Sequence, residues 1–320
     1  MSRSAIDVLA LVDAARSGSH RAVARLITLV ENGSDLLRPA MKALAPYAGN
    51  ARIIGLTGSP GVGKSTTTSA LVGAFRARDL RVGVLAVDPS SPFSGGALLG
   101  DRIRLSDHAL DPGVYVRSMA TRGHLGGLSW AAPQALRVLD AAGCDVILIE
   151  TVGVGQSEVE IAGLADTTVV LLAPGMGDGV QAAKAGILEV GDVFVVNKAD
   201  RDGADATVRE LRQMLTLGAA PAAGEWRAPV EKLVAAAGDG LSDVLAALDK
   251  HWEWLSSSGE LDTRRRRRAS DEVLALALGE LRSRMGTLED HALLASLAAS
   301  VVSGSSDPYS AADELVASVS

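Results

Sequence analysis

Gly58, Gly63, Lys64 and Ser65 stand at the spacing G-x-x-x-x-G-K-[ST], inside Ile53-Ile54-Gly55-Leu56-Thr57-Gly58-Ser59-Pro60-Gly61-Val62-Gly63-Lys64-Ser65. An apolar run from Arg52 to Leu56 leads in, and a helix-permissive stretch beginning at Thr66 leads out. That strand-turn-helix setting is what the pattern requires. Glycines let the backbone curl until several N–H groups face one anion, beside the positive end of a helix dipole. The Lys64 ammonium can then reach β- and γ-phosphates, and the Ser65 hydroxyl can ligate Mg²⁺. The chemistry is phosphate binding, with Gly58, Ser59, Gly61, Val62, Gly63, Lys64, Ser65 and Thr66 as its candidate contacts.

Further residues extend this chemistry to a base and a metal. Asn197-Lys198-Ala199-Asp200 follows an apolar run. The Asp200 carboxylate can accept two N–H bonds from guanine N1 and N2, donors that adenine lacks, so it would select GTP over ATP. Asn197 would brace the loop and contact the base, with the stem of Lys198 over the purine face. Glu150-Thr151-Val152-Gly153 follows Val146-Ile147-Leu148-Ile149. Glu150 could hold a metal-bound water or orient the attacking one, or simply cap the following turn. Gly153 stands where many GTPases read the γ-phosphate through a glycine N–H. Asp88, after the run 81–87, and Asp101, in Gly100-Asp101-Arg102, could reach the Mg²⁺ shell. Asp101 could equally be a helix N-terminal acid. Arg122, in Thr-Arg-Gly-His with His124, could stabilise phosphoryl charge as an internal arginine, although a solvated loop is the more natural reading of both.

The elements that must position these residues alternate along the chain. Strand-like runs at 52–57, 81–87, 114–118, 145–151, 167–173, 192–197 and 229–235 have helix-like segments between most of them. This implies an α/β phosphate-loop fold, a mostly parallel sheet with right-handed crossovers and ligands at the strands' carboxyl ends. The candidate residues fall at those ends. Residues 5–48 read as helices: Ile6, Leu9 and Ala10 begin one amphipathic stretch, and Val23, Leu26, Ile27 and Val30 another. Helical text returns at Leu241–Leu255, 271–285 and 288–302, and the Ser-rich residues from about 303 are expected to fray. The expected organisation is a helical leader (1–50), a nucleotide domain (51–256) and a helical arm and tail (257–320). Arg264 to Arg268 would be a solvated helix start or linker, or else a docking patch for an acidic partner or phosphate.

Bulk properties narrow the class. With 320 residues, 48% hydrophobic but only 3% aromatic, the core must be aliphatic, which suits parallel strands covered by helices. A formal net charge of −7 argues against nucleic acid as partner. The single cysteine, Cys144, permits no internal disulfide, suits a reducing cytoplasm, and reads as a small buried side chain. No signal peptide or membrane-spanning run is visible.

Together these motifs, with Glu150-Thr151-Val152-Gly153-Val154-Gly155-Gln156-Ser157 the most specific of them, resemble the MeaB-type GTPases, also called methylmalonyl-CoA mutase-associated GTPases and formerly ArgK or LAO/AO transport-system kinases. The resemblance implies GTP/GDP and Mg²⁺ as ligands, with Lys64 and Ser65 on phosphate and metal and Lys64, Glu150 and Asp101 as the catalytic set. Ser65, Asp88, Asp101 and Glu150 would form the metal shell, and Asn197, Lys198 and Asp200 would take the guanine. Ala235 and Ala236 fall where the family has a Ser-Ala contact to the base, so that only backbone N–H could serve. The resemblance also implies a homodimer held by the C-terminal arm, and an adenosylcobalamin-dependent mutase as partner, with the GTPase gating its cofactor loading and protecting it. Residues 178–184 fall on the family's switch towards the mutase, with Gly179 in place of its usual Glu. A transport-system kinase and a nickel-insertion metallochaperone are the alternatives; the first should prefer ATP, and the second wants Cys and His ligands that this chain scarcely has.

Overall fold

Aliphatic strands with no polar face must be covered on both sides, and in the computed structural model they are. The structure describes residues 7–88, 105–108, 110–120, 131–151, 157–175, 188–217, 224–285 and 292–318. The strands β1 (Arg52–Thr57), β2 (Val82–Asp88), β3 (Val114–Ala120), β4 (Val146–Thr151), β5 (Thr167–Leu172), β6 (Val193–Asn197) and β7 (Val230–Leu233) form one sheet in the order β3-β2-β4-β1-β5-β6-β7. All of its ladders are parallel. The runs expected from the sequence are these strands, with ends shifted by one or two residues.

Strand alternation divides the core. Val146 and Leu148 of β4 face a layer containing Leu71, Val72 and Phe75 of the helix Lys64–Arg76 and Val244 and Leu248 of the helix Leu241–Ser258. Ile147 and Ile149 face the other layer, with Leu136 and Leu139 of the helix Ala132–Ala141 and Leu26 and Ile27 of the helix His20–Glu31. The leader is thus part of the core. Its helices begin where sequence chemistry allows: Asp7 accepts from the N–H of Leu9 and Ala10 ahead of Val8–Arg16, and Ser19 accepts from Ala22 N ahead of His20–Glu31.

The chain divides into two compact units, Met1–Asp262 and Thr263–Ser320. The Arg264–Arg268 run lies inside the helix Glu260–Met285, not in a linker. Glu260 and Asp262 in its first turn suit the helix dipole. Further along, Val273 is 67% exposed and Leu274 59%. The expected fraying after 303 is corrected: Pro308–Ala317 is a helix, with Asp307 accepting from Tyr309 N and Ser310 N. The Asp-Pro pair at its start was the available signal, masked by serine composition. No described helix is long and apolar enough to cross a membrane.

Candidate functional site

Parallel strands place their carboxyl ends on one edge, and the site is built from five of those ends. Leaving β1, the chain turns with Gly58 at φ +138°, Gly61 at +79° and Gly63 at +96°. The space is as restrictive as the torsions. A Cβ on Gly58 would lie 2.2 Å from the Leu171 carbonyl oxygen, and one on Gly63 would lie 2.3 Å from Asn197 Nδ2. Gly63 is also the N-cap of the helix Lys64–Arg76 and supplies no side-chain cap. An uncapped N-terminus behind a glycine hairpin has the construction of an anion cradle.

Lys64, 8% exposed, folds back so that Nζ donates to the carbonyls of Gly58 and, at 3.1 Å, Ser59. One residue on, the half-buried Ser65 donates from Oγ to Glu150 Oε1 at 3.3 Å. Glu150 is 2% exposed and sits on β4 between Leu56 of β1 and Ala86 of β2. Its other oxygen, Oε2, accepts from Thr68 Oγ1 at 2.7 Å. So the acid that ends the apolar strand is turned towards the phosphate-loop helix. Thr68 was missed in the sequence, although its position three residues after Ser65 puts both hydroxyls on one helix face.

The other wall comes from β6 and β7. Asn197, closing β6 and 2% exposed, donates from Nδ2 to Val62 O at 2.8 Å and accepts at Oδ1 from Ala235 N at 3.1 Å. One side chain therefore ties the glycine hairpin to the turn after β7. Lys198, held at φ +58°, donates from Nζ to Gly61 O at 2.6 Å. Asp200 is exposed in the turn that follows, as is Ala236 beyond β7. The Ala235 N–H expected for the base is instead engaged by Asn197.

Asp88 is the last residue of β2, paired with Ala120; nothing is described of its side chain. Asp101, Gly153, Arg122, His124 and residues 178–184 lie outside the described residues. Cys144 precedes β4, at the opposite end of the strand from Glu150. Desolvation pushes its thiol up to about 12, as suits a protonated packing group at neutral pH.

A parallel sheet with an uncapped glycine hairpin, an inward lysine and an asparagine strut defines a phosphate-loop nucleotide-binding protein. Which one is answered by its relatives. The family model described as methylmalonyl Co-A mutase-associated GTPase MeaB matches residues 23–290. A Pyrococcus abyssi protein named as a GTPase is 47% identical over 307 residues, covering 96% of this chain and 95% of its own. A Caenorhabditis elegans protein, the mitochondrial methylmalonic aciduria type A homolog, is 35% identical over 266 residues, covering 78% of this chain and 67% of its own. The crystal structure of a LAO/AO transport system kinase superposes with a TM-score of 0.73 at 26% identity, covering 99% of both chains. The chain belongs to the MeaB family and is a GTPase.

Proposed function

We propose that this chain binds GTP along the carboxyl edge of the sheet, hydrolyses it with magnesium, and uses its nucleotide state to control cofactor loading and protection of an adenosylcobalamin-dependent acyl-CoA mutase. Methylmalonyl-CoA mutase is the expected partner, since the family carries that enzyme in its name. The observation that carries the nucleotide part is the Asn197 strut, which joins the hairpin to the turns flanking Asp200 and Ala236. Phosphate recognition and base recognition then share one rigid frame, so a triphosphate laid along the hairpin would bring its purine to Asp200.

Each group has a role in this reading. Lys64 exchanges its bonds to Gly58 O and Ser59 O for phosphate oxygens, which bear the charge that grows during phosphoryl transfer. Backbone N–H groups of the hairpin, from Gly58 to Thr66 with Pro60 excepted, would line the phosphates. Asp200 pairs with guanine N1 and N2, Lys198 covers the ring, and the Ala235–Ala236 turn closes over the base. The donors around Glu150 are hard oxygens, a carboxylate and a hydroxyl within 3.3 Å, and they fit Mg²⁺. Ser65 and Glu150 would hold it, with Asp88 and Asp101 as the remaining candidates. A magnesium ion held there would supply positive charge beside the phosphates. Both oxygens of Glu150 are engaged by the helix hydroxyls of Ser65 and Thr68, which suits support of the metal better than deprotonation of water. Turnover by the isolated chain should be slow, since among the described residues the site holds no arginine finger or glutamine.

A second copy of the chain is the other partner. Exposed Leu274, Leu278 and Leu281 on the helix Glu260–Met285 offer a self-complementary apolar surface for a homodimer. Capture of cellular protein on the chain loaded with a non-hydrolysable GTP analogue tests the mutase assignment. A cobalamin-dependent acyl-CoA mutase should be retained in that state and less in the nucleotide-free state. Recovery of a periplasmic binding protein as phosphate acceptor, with no such mutase, would favour the kinase reading instead.

A further inference from the structure

Thr68 stands out because its hydroxyl has two acceptors and one proton. Oγ1 lies 3.0 Å from Lys64 O, the ordinary back-bond of a helical threonine, and 2.7 Å from Glu150 Oε2. The neighbouring Thr67 makes only the back-bond among its described contacts, to Gly63 O at 2.9 Å. For Thr68 the carboxylate is both the nearer and the charged acceptor, and a charge-assisted bond is the stronger. Thr68 is wholly buried and Glu150 is 2% exposed, so no water competes for the interaction. A carboxylate on a flexible two-carbon stem can rotate about its last bond. Pinning Oε2 to the helix leaves Oε1 facing Ser65.

We infer that Thr68 is a positioning residue for the metal site: its hydroxyl orients Glu150 so that Oε1 and the Ser65 hydroxyl face the metal together. The inference rests on the reading of Ser65 and Glu150 as metal-holding groups. Threonine suits this task, since its branched Cβ restricts χ1 in a helix and so holds the hydroxyl where it meets both Lys64 O and Glu150 Oε2. In this role Thr68 acts through Glu150, whose Oε2 its hydroxyl holds.

The test is a magnesium titration of bound N-methylanthraniloyl-GDP, read by fluorescence, beside GTP turnover and thermal unfolding. Thr68→Val keeps the shape and deletes the hydroxyl. It should raise the half-saturating Mg²⁺ concentration about tenfold, the weight of one hydrogen bond to a charged group. Affinity for the nucleotide without Mg²⁺ should stay within twofold. Thr68→Ser should restore the wild-type Mg²⁺ dependence within twofold, which a purely packing role would not do. If the valine variant does not fold, Thr68→Ala is read in its place. A folded hydroxyl-less variant with unshifted Mg²⁺ dependence, or a serine variant shifted as far as valine, overturns the inference. Glu150→Gln separates the two layers: if it too leaves Mg²⁺ dependence unchanged, the metal reading itself falls, whereas a shift there with none at Thr68 removes only the positioning role.

Discussion

Lys64→Ala should abolish GTP turnover, by about a hundredfold or more, in a protein that still folds. Lys64 is a cation almost withdrawn from water, 8% exposed, held against the carbonyls of its own loop. Those carbonyls are weak substitutes for a triphosphate, so the charge is poised for exchange. On the proposed reading, its removal would take away the cation set against the β- and γ-phosphates where negative charge develops, and would leave the positive torsions of Gly58, Gly61 and Gly63 that shape the loop. Phosphate release reads the loss, and a thermal unfolding midpoint within a few degrees of wild type shows that the core is intact. Turnover within threefold of wild type would remove Lys64 from the chemistry.

Gly63→Ala should act almost as strongly by a different route, weakening nucleotide binding about a hundredfold. The position is held at φ +96°, where an L-residue costs roughly 1–2 kcal/mol. In addition, the new methyl would meet Asn197 Nδ2 at 2.3 Å, so either the hairpin opens or Asn197 leaves Val62 O and Ala235 N. Both walls of the site are then disturbed by one carbon atom. Gly49→Ala is the control: its φ is +103°, yet nothing lies within 4 Å of the added Cβ, and it precedes β1, at the opposite end of that strand from the hairpin. Fluorescent GDP binding should fall in the first variant and not in the second. Equal affinities in the two would show that the close approach to Asn197 does not matter.

The sheet was legible because its signal is local and repeated: runs such as Val146-Ile147-Leu148-Ile149 can be buried on both faces only in a covered parallel sheet. The strand-end placement of Glu150 and Asn197 followed from the same pattern. What could not be read was which groups partner which. That Asn197 bridges Val62 and Ala235 depends on three segments brought together by the sheet, 135 residues apart in one case and 38 in the other. Thr68 escaped for a similar reason, as a threonine in a run of three gives no hint of which one faces β4. The terminal helix at Pro308–Ala317 was hidden by composition, and its capping Asp307 outweighs the serines around it.

The central claim is that the purine lies against Asp200 while the phosphates lie in the hairpin. Competition by guanosine and xanthosine triphosphates against fluorescent GDP, in wild type and Asp200→Asn, tests it most directly. Xanthine carries a carbonyl where guanine carries an amino group, so an asparagine amide can donate where the aspartate could only accept. Wild type should favour GTP, and Asp200→Asn should weaken GTP about a hundredfold and turn the preference towards xanthosine triphosphate. An unchanged GTP-to-xanthosine-triphosphate ratio in the variant would place the base elsewhere and contradict the account.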